Sequence, residues 1–304
     1  MHIPDGFLST PVWAALDVAA APAAAAMTRL AQRGFDEKRV PLLGVMGAFV
    51  FAAQMINFPV GAGTSGHLVG GALLAMSLGP AAASVVMTAI LAIQALVFQD
   101  GGILALGANV FNMAIGGVLA GYLPYHLWGA GRGRRVAVFL GGFLSVLVAA
   151  VLALAELQLS GIAMPAALLG VSLGLFVVSA VLEGAITLAV FQAMETLHPD
   201  FVRQPAGNRS RTLGGLGLAA VLLAVVGVWF ASASPDGLER LAENLGIAGR
   251  AKAFLPTPLA GYQAGFIQAA WLRKAAAGLT GLALIYAACA LFGRWLAPSR
   301  QRSA

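Results

Sequence analysis

Two histidines stand where they could hold a metal ion. His2 adjoins the first residue, so the Met1 amine, the His2 backbone nitrogen and the His2 imidazole can close fused chelate rings on one ion. His67 lies in GAGTSGHLVGG, where small residues let backbone and ligand approach closely, and it could supply a fourth nitrogen. Four nitrogens in a plane suit Ni(II) or Cu(II), with Co(II) accessible. The amine and imidazole must bind deprotonated, and the amide must lose its proton to a strongly polarising metal. A hard ion such as Mg(II) prefers oxygen. An interfacial His2 and a His67 packed within its loop fit the same positions, so residue type alone leaves both readings open. The other two histidines, His126 and His198, read as interfacial or solvated.

The elements that must position these residues are membrane helices. Of 304 residues, 60% are hydrophobic and only 10% charged, whereas soluble domains run about 25% charged. Intrinsic disorder requires low hydrophobicity and is excluded. The 38 glycines suit closely packed membrane helices. The single cysteine, Cys289, excludes an internal disulfide framework and any Cys-rich zinc site. The net charge of +6 fits basic cytoplasmic loops better than a nucleic-acid partner.

Charge-free stretches long enough to span a bilayer predict helices near 12–30, 42–58, 66–78, 81–98, 104–128, 136–155, 166–194, 213–232 and 275–294. These make nine, although the Gly-rich 66–78 segment also suits a re-entrant turn. Nine spans put the basic clusters Arg29–Arg39, Arg132–Arg135, Arg203–Arg211 and Arg294–Arg302 on one side. That side should be the cytoplasm, with the amino terminus outside and the carboxyl terminus inside. The loop 233–274 carries further basic residues outside but also Asp236, Glu239 and Glu243. The first residues lack a basic n-region and a cleavage site, so Met1 is expected to be the free amino terminus. The polar stretch Glu195–Thr212 reads as a cytoplasmic linker between seven spans and two.

No phosphate-cradling G-x-x-x-x-G-K-[ST], no H-E-x-x-H and no G-x-S-x-G occurs, so no catalytic constellation and no means of burning ATP is visible. Glu183 is a mid-span carboxylate. Charged there it costs about 2.5–3.5 kcal/mol, so it should face the bundle interior; a place in a metal path is the less favoured alternative.

Three motifs, MHIPDGFL at Met1–Leu8, GTSGHLVGG at Gly63–Gly71 and GGILALGANVFNMA at Gly101–Ala114, resemble the CbiM/NikM family. These are the substrate-binding membrane components of energy-coupling-factor (ECF) transporters for cobalt and nickel. Downstream, SPDGLE at Ser234–Glu239, flanked by two spans, resembles the small CbiN/NikN partner with its PDGLE signature. The resemblance implies an all-α polytopic membrane protein with three parts. Residues 1–200 form a seven-helix metal-binding domain, 201–212 a cytoplasmic linker, and 213–304 a two-helix PDGLE domain with an extracytoplasmic loop. It implies Met1, His2 and His67 as metal ligands, in agreement with the chelate above. Asp5 and Gly6 would shape the terminal loop. Ser65, Asn109, Asn112 and Gln54 would fix the terminus or His67 from behind, with ordinary interhelical hydrogen bonds as the alternative.

The implied function is uptake of nickel or cobalt as transported substrate, with no resident cofactor and no enzymatic activity of its own. The implied partners are a second ECF membrane protein, two cytoplasmic ATPases and the lipid of a bacterial cytoplasmic membrane. First-helix alanines Ala15, Ala19 and Ala23 would offer the membrane partner a close-packing face. Many cobalt members begin MHIMEG, whereas this chain has Pro4-Asp5, which leans toward nickel. A stand-alone metal channel or secondary carrier is the main alternative, and a membrane enzyme or ligand-free anchor a third.

Overall fold

The computed structural model describes residues 1–33, 36–197, 210–255 and 257–297. His198 and most of the expected 201–212 linker lie outside the described residues. The helices are α1 (Thr10–Gln32), α2 (Val40–Gln54), α3 (Gly71–Leu78), α4 (Pro80–Phe98), α5 (Leu106–Trp128), α6 (Arg134–Leu159), α7 (Ala166–Leu197), α8 (Thr212–Trp229), α9 (Gly237–Asn244) and α10 (Ala270–Leu296). A two-stranded antiparallel hairpin, β1 (Asn57–Gly61) and β2 (Thr64–His67), separates α2 from α3.

Among the described residues seven helices are long and apolar enough to cross a membrane: α1, α4, α5, α6, α7, α8 and α10. The hydropathy pattern predicts nine, and the difference lies at residues 40–78. There α2 has 15 residues and α3 only 8. At 1.5 Å per residue α2 is about 22 Å long, short of a hydrocarbon core of about 30 Å. The charge-free run continues because protein, rather than lipid, surrounds it. Every residue of α3 is buried, which is the setting in which irregular backbone is tolerated at membrane depth.

The hairpin turns on Ala62 (φ 49°) and Gly63 (φ 68°). Two central residues with positive φ make the primed turn whose twist matches that of the flanking strands. The register pairs Asn57 with His67, so His67 ends its strand at the base of the hairpin.

Helix α2 is wrapped by the two carboxyl-terminal spans, α8 and α10. Glycines permit the approach. Gly44 and Gly47 on α2 face Tyr286 and Cys289 of α10, and Gly281 of α10 faces the Phe51 ring. The two units on either side of the linker therefore share one hydrophobic core. At one end of this bundle, four segments meet: the first nine residues, the hairpin, the 99–105 turn and the described residues of 231–269.

Small residues also set the α6–α7 contact. A Cβ on Gly142 would lie 2.8 Å from the Cα of Gly184. Gly142→Leu should therefore force the two helices apart and destabilise the bundle by about 1–3 kcal/mol or more, read as a lower melting temperature of the purified protein in detergent.

Candidate metal centre

The opening segment is fixed like a strand without a sheet. Asn109 supplies both halves of a backbone pair: its Oδ1 accepts from the Ile3 N–H at 2.8 Å and its Nδ2 donates to the Ile3 carbonyl at 3.0 Å. The Gly102 N–H donates to the same carbonyl at 2.8 Å. Asp5 then accepts from the Ile103, Leu104 and Ala105 N–H groups at 2.8–3.0 Å, capping the turn that enters α5. Ile3, Phe7 and Leu8 are buried, in a cluster that includes Leu238 and Leu241 of α9. Gly6 has φ +93°, and the Arg250 carbonyl occupies the space a Cβ would need. These contacts hold the first two residues against His67.

The geometry there is a cluster of donors. The Met1 amine lies 2.9 Å from Nε2 of His67. Nδ1 of His67 lies 3.0 Å from the Leu68 carbonyl. That carbonyl can only accept, so Nδ1 carries the proton and Nε2 presents its lone pair toward the amine. The His2 and His67 rings stack with centroids 5.5 Å apart and planes 6° from parallel. Nδ1 of His2 sits 2.9 Å from Asp100 Oδ1, while its Nε2 is buried without a hydrogen-bond partner. Among the described residues the His2 amide also donates to no acceptor, so its proton is not committed elsewhere. No three His, Cys, Asp or Glu side chains among the described residues form a metal-holding group by themselves. With the main-chain nitrogens of Met1 and His2, the nitrogens gathered here number four.

Two carboxylates face the cluster. Asp236 Oδ2 pairs with the Met1 amine and stands 4.0 Å from His67 Nε2. Burial disfavours the Asp236 carboxylate, but the adjacent amine charge outweighs it and holds its pKa below the usual range. Asp100 follows the same logic: burial raises its pKa, and His2 and the Tyr262 hydroxyl more than reverse this, leaving it well below the carboxylate range. For His67, burial and then the neighbouring amine charge pull the imidazole pKa down to about 4, so it is neutral and available as a donor at pH 7.

The residues behind the cluster divide. Ser65 Oγ donates to the Ser234 carbonyl at 2.7 Å, and the Ser65 N–H donates to the Pro235 carbonyl at 2.8 Å; Ser65 thus ties the His67 hairpin to the PDGLE segment. Gln54 Nε2 donates to the Val69 carbonyl at 2.8 Å, just beyond His67. Asn109 holds the terminus, as described. Asn112 turns away, and its Nδ2 donates to Glu156 on α6 at 2.8 Å. His126 is exposed at the end of α5. Glu183 faces the bundle interior, where its carboxylate accepts from the Val69 and Gly70 N–H groups at 2.8 Å each. It therefore holds the backbone that follows His67. Residue types alone did not single out Asp100 or Tyr262, and gave Asp236 no place at the cluster; the PDGLE motif was the one available signal for Asp236.

A bundle of membrane-spanning helices with nitrogen donors and two carboxylates gathered at one end defines the class: a polytopic helical membrane protein with a candidate metal centre at one mouth of the bundle. Residues 2–201 match the family model of the cobalt uptake substrate-specific transmembrane region, CbiM, and residues 210–298 match the PDGLE domain. The chain belongs to the CbiM family and carries a PDGLE domain in the same polypeptide. It is 37% identical over 251 residues to a protein of Archaeoglobus fulgidus provisionally named a fused nickel transport protein, NikMN, covering 80% of this chain and 81% of that one. It is 34% identical over 207 residues to the cobalt transport protein CbiM of Acetoanaerobium sticklandii, covering 64% of this chain and 84% of that one. A crystal structure described as a transition metal transporter superposes with a TM-score of 0.59 at 34% identity, over 69% of this chain and 100% of that one. A truncated transition metal transporter gives 0.58 at 35% identity, over 65% and 100%.

Glu183→Ala would leave two buried N–H groups without an acceptor. Each costs about 1–3 kcal/mol. The variant should melt well below the wild type and show faster amide exchange at Val69 and Gly70, measured by hydrogen–deuterium exchange.

Proposed function

We propose that this chain captures a nickel or cobalt ion at the mouth formed by Met1, His2 and His67 and serves its uptake across a cytoplasmic membrane. The observation that carries this is the 2.9 Å separation of the Met1 amine and His67 Nε2. In a planar complex with metal–nitrogen bonds of about 2.0–2.1 Å, neighbouring donors stand about 2.9 Å apart. Within the fused rings of Met1 and His2, the fourth position neighbours the amine, which is where His67 stands. His2 Nδ1 must leave Asp100 for the ion to complete the second ring. The transport role rests on family membership and on the names of the relatives.

In this proposal residues 1–200 form the metal-binding membrane unit and 213–304 the PDGLE unit, joined by the 201–212 linker. The basic clusters support a cytoplasmic linker and carboxyl terminus and an outward-facing metal mouth. The chain lacks a phosphate-cradling motif, so the energy comes from elsewhere: a second membrane component and two ATPases, as in the ECF transporters its motifs resemble. Cells deleted for such ATPases should lose nickel or cobalt uptake by this protein; undiminished uptake would instead favour a self-sufficient carrier.

The chelate itself is tested by its first atom. A residue added before Met1 converts the amine to an amide and should abolish bound nickel or cobalt in elemental analysis, whereas a carboxyl-terminal tag should leave it. His67→Ala should also lose the ion, by more than the roughly 10–100-fold that loss of an outer hydrogen-bonding partner costs. Stoichiometric metal in the extended protein contradicts the proposal.

A further inference from the structure

The PDGLE segment touches the cluster through one side chain, and its two oxygens do different work. Asp236 Oδ1 accepts from the Leu238 and Glu239 N–H groups at 2.8 and 2.9 Å. Glu239 returns the bond by accepting from the Asp236 N–H at 2.9 Å, a reciprocal cap that starts α9. Oδ2 is left over and meets the Met1 amine. The neighbours fix this aim. The Pro235 carbonyl accepts from the Ser65 N–H, a Cβ on Gly237 would meet the Phe176 ring at 2.9 Å, and Leu238 is buried. The cap cannot rotate away from the amine without breaking the helix start.

We propose that Asp236 is the counter-charge and positioning residue of the metal centre, supplied by the PDGLE unit to a site whose ligands all come from the other unit. This rests on the Met1–His2–His67 assignment above. A divalent ion with one amidate ligand carries one net positive charge, so Asp236 is the counter-charge of the loaded site; what it adds to affinity is the aim it gives the amine. A coordinated amine still has two N–H bonds, so it can keep donating to Oδ2. A buried charge without such a partner is costly, and a hydrogen-bonded ligand is held in orientation. Asp236 acts through the amine and does not bind the ion, so the four nitrogens remain the ligand set.

Asp236→Asn tests this, because asparagine is isosteric and an equally good helix cap but carries no charge. Its capping oxygen stays in place and an NH2 group is turned on the amine. Asp236→Ser keeps the cap by a different side chain and carries the same test if the first variant is unstable. In full-length protein starting at Met1, with Ni(II) as the probe, both should bind about 10–100-fold more weakly. The nickel absorption band should stay at the wild-type position, because the nitrogen donors are unchanged. A cooperative metal-free melt shows that each variant is folded; its midpoint is expected to fall somewhat, because the amine loses its partner. Wild-type affinity in either folded variant overturns the inference, and a shifted band overturns it by making Asp236 a ligand. If wild-type protein takes up no nickel, it is the chelate assignment that fails.

Discussion

A primary amine at the start of a chain is ordinarily a solvated charge. Here it is drawn in between His67 and Asp236, two residues far away in sequence that reach it from opposite units. Burial of a charge is tolerated only when it is paired and hydrogen-bonded, and both conditions are met at this one nitrogen. The rest of that end of the molecule is arranged around keeping it there. Asn109 and Asp5 pin the segment behind it, the hairpin brings His67 to it, and the PDGLE cap brings the carboxylate.

The scaffold does this with rigid parts. His67 ends a strand, and the backbone beyond it is held by Glu183 from α7 and Gln54 from α2. Gln54 in turn accepts from Gln94 at 2.9 Å, and Gln94 donates to the Tyr262 hydroxyl at 3.1 Å. Tyr262 donates to Asp100, which holds His2. A continuous polar chain thus links the surroundings of both histidines through a residue of the PDGLE unit. Tyr262 also stacks on Phe98 at 4.9 Å and has a left-handed φ of 58°. These contacts fix the backbone around His67 and hold the His2 ring on Asp100.

Much of this was legible in the residues. Hydropathy located seven helices to within a few residues of their ends, and the place of His2 beside the terminus pointed to the segment that the structure packs against His67. Two things were not legible. The stretch at 57–67 lacks the alternating β-branched pattern of a strand; its hairpin comes from two positive-φ turn residues and from burial between helices. The long apolar run through α2 and α3 resembled two spans because protein-buried and lipid-buried segments have the same composition. Pairings such as Asp236 with Met1, or Tyr262 with Asp100, join residues more than 160 apart, and nothing in a single sequence reports them. Asn112 sits in the same motif as Asn109, yet its amide pairs with Glu156 and not with the terminus.

The central claim is that the chain's first atom is a metal ligand. Anomalous diffraction at the nickel edge, from crystals of protein beginning at Met1 and grown with Ni(II), would locate the ion directly. The account predicts a single strong peak about 2 Å from both the Met1 nitrogen and His67 Nε2. An ordered terminus with the peak elsewhere, or with no peak between those two atoms, would contradict it.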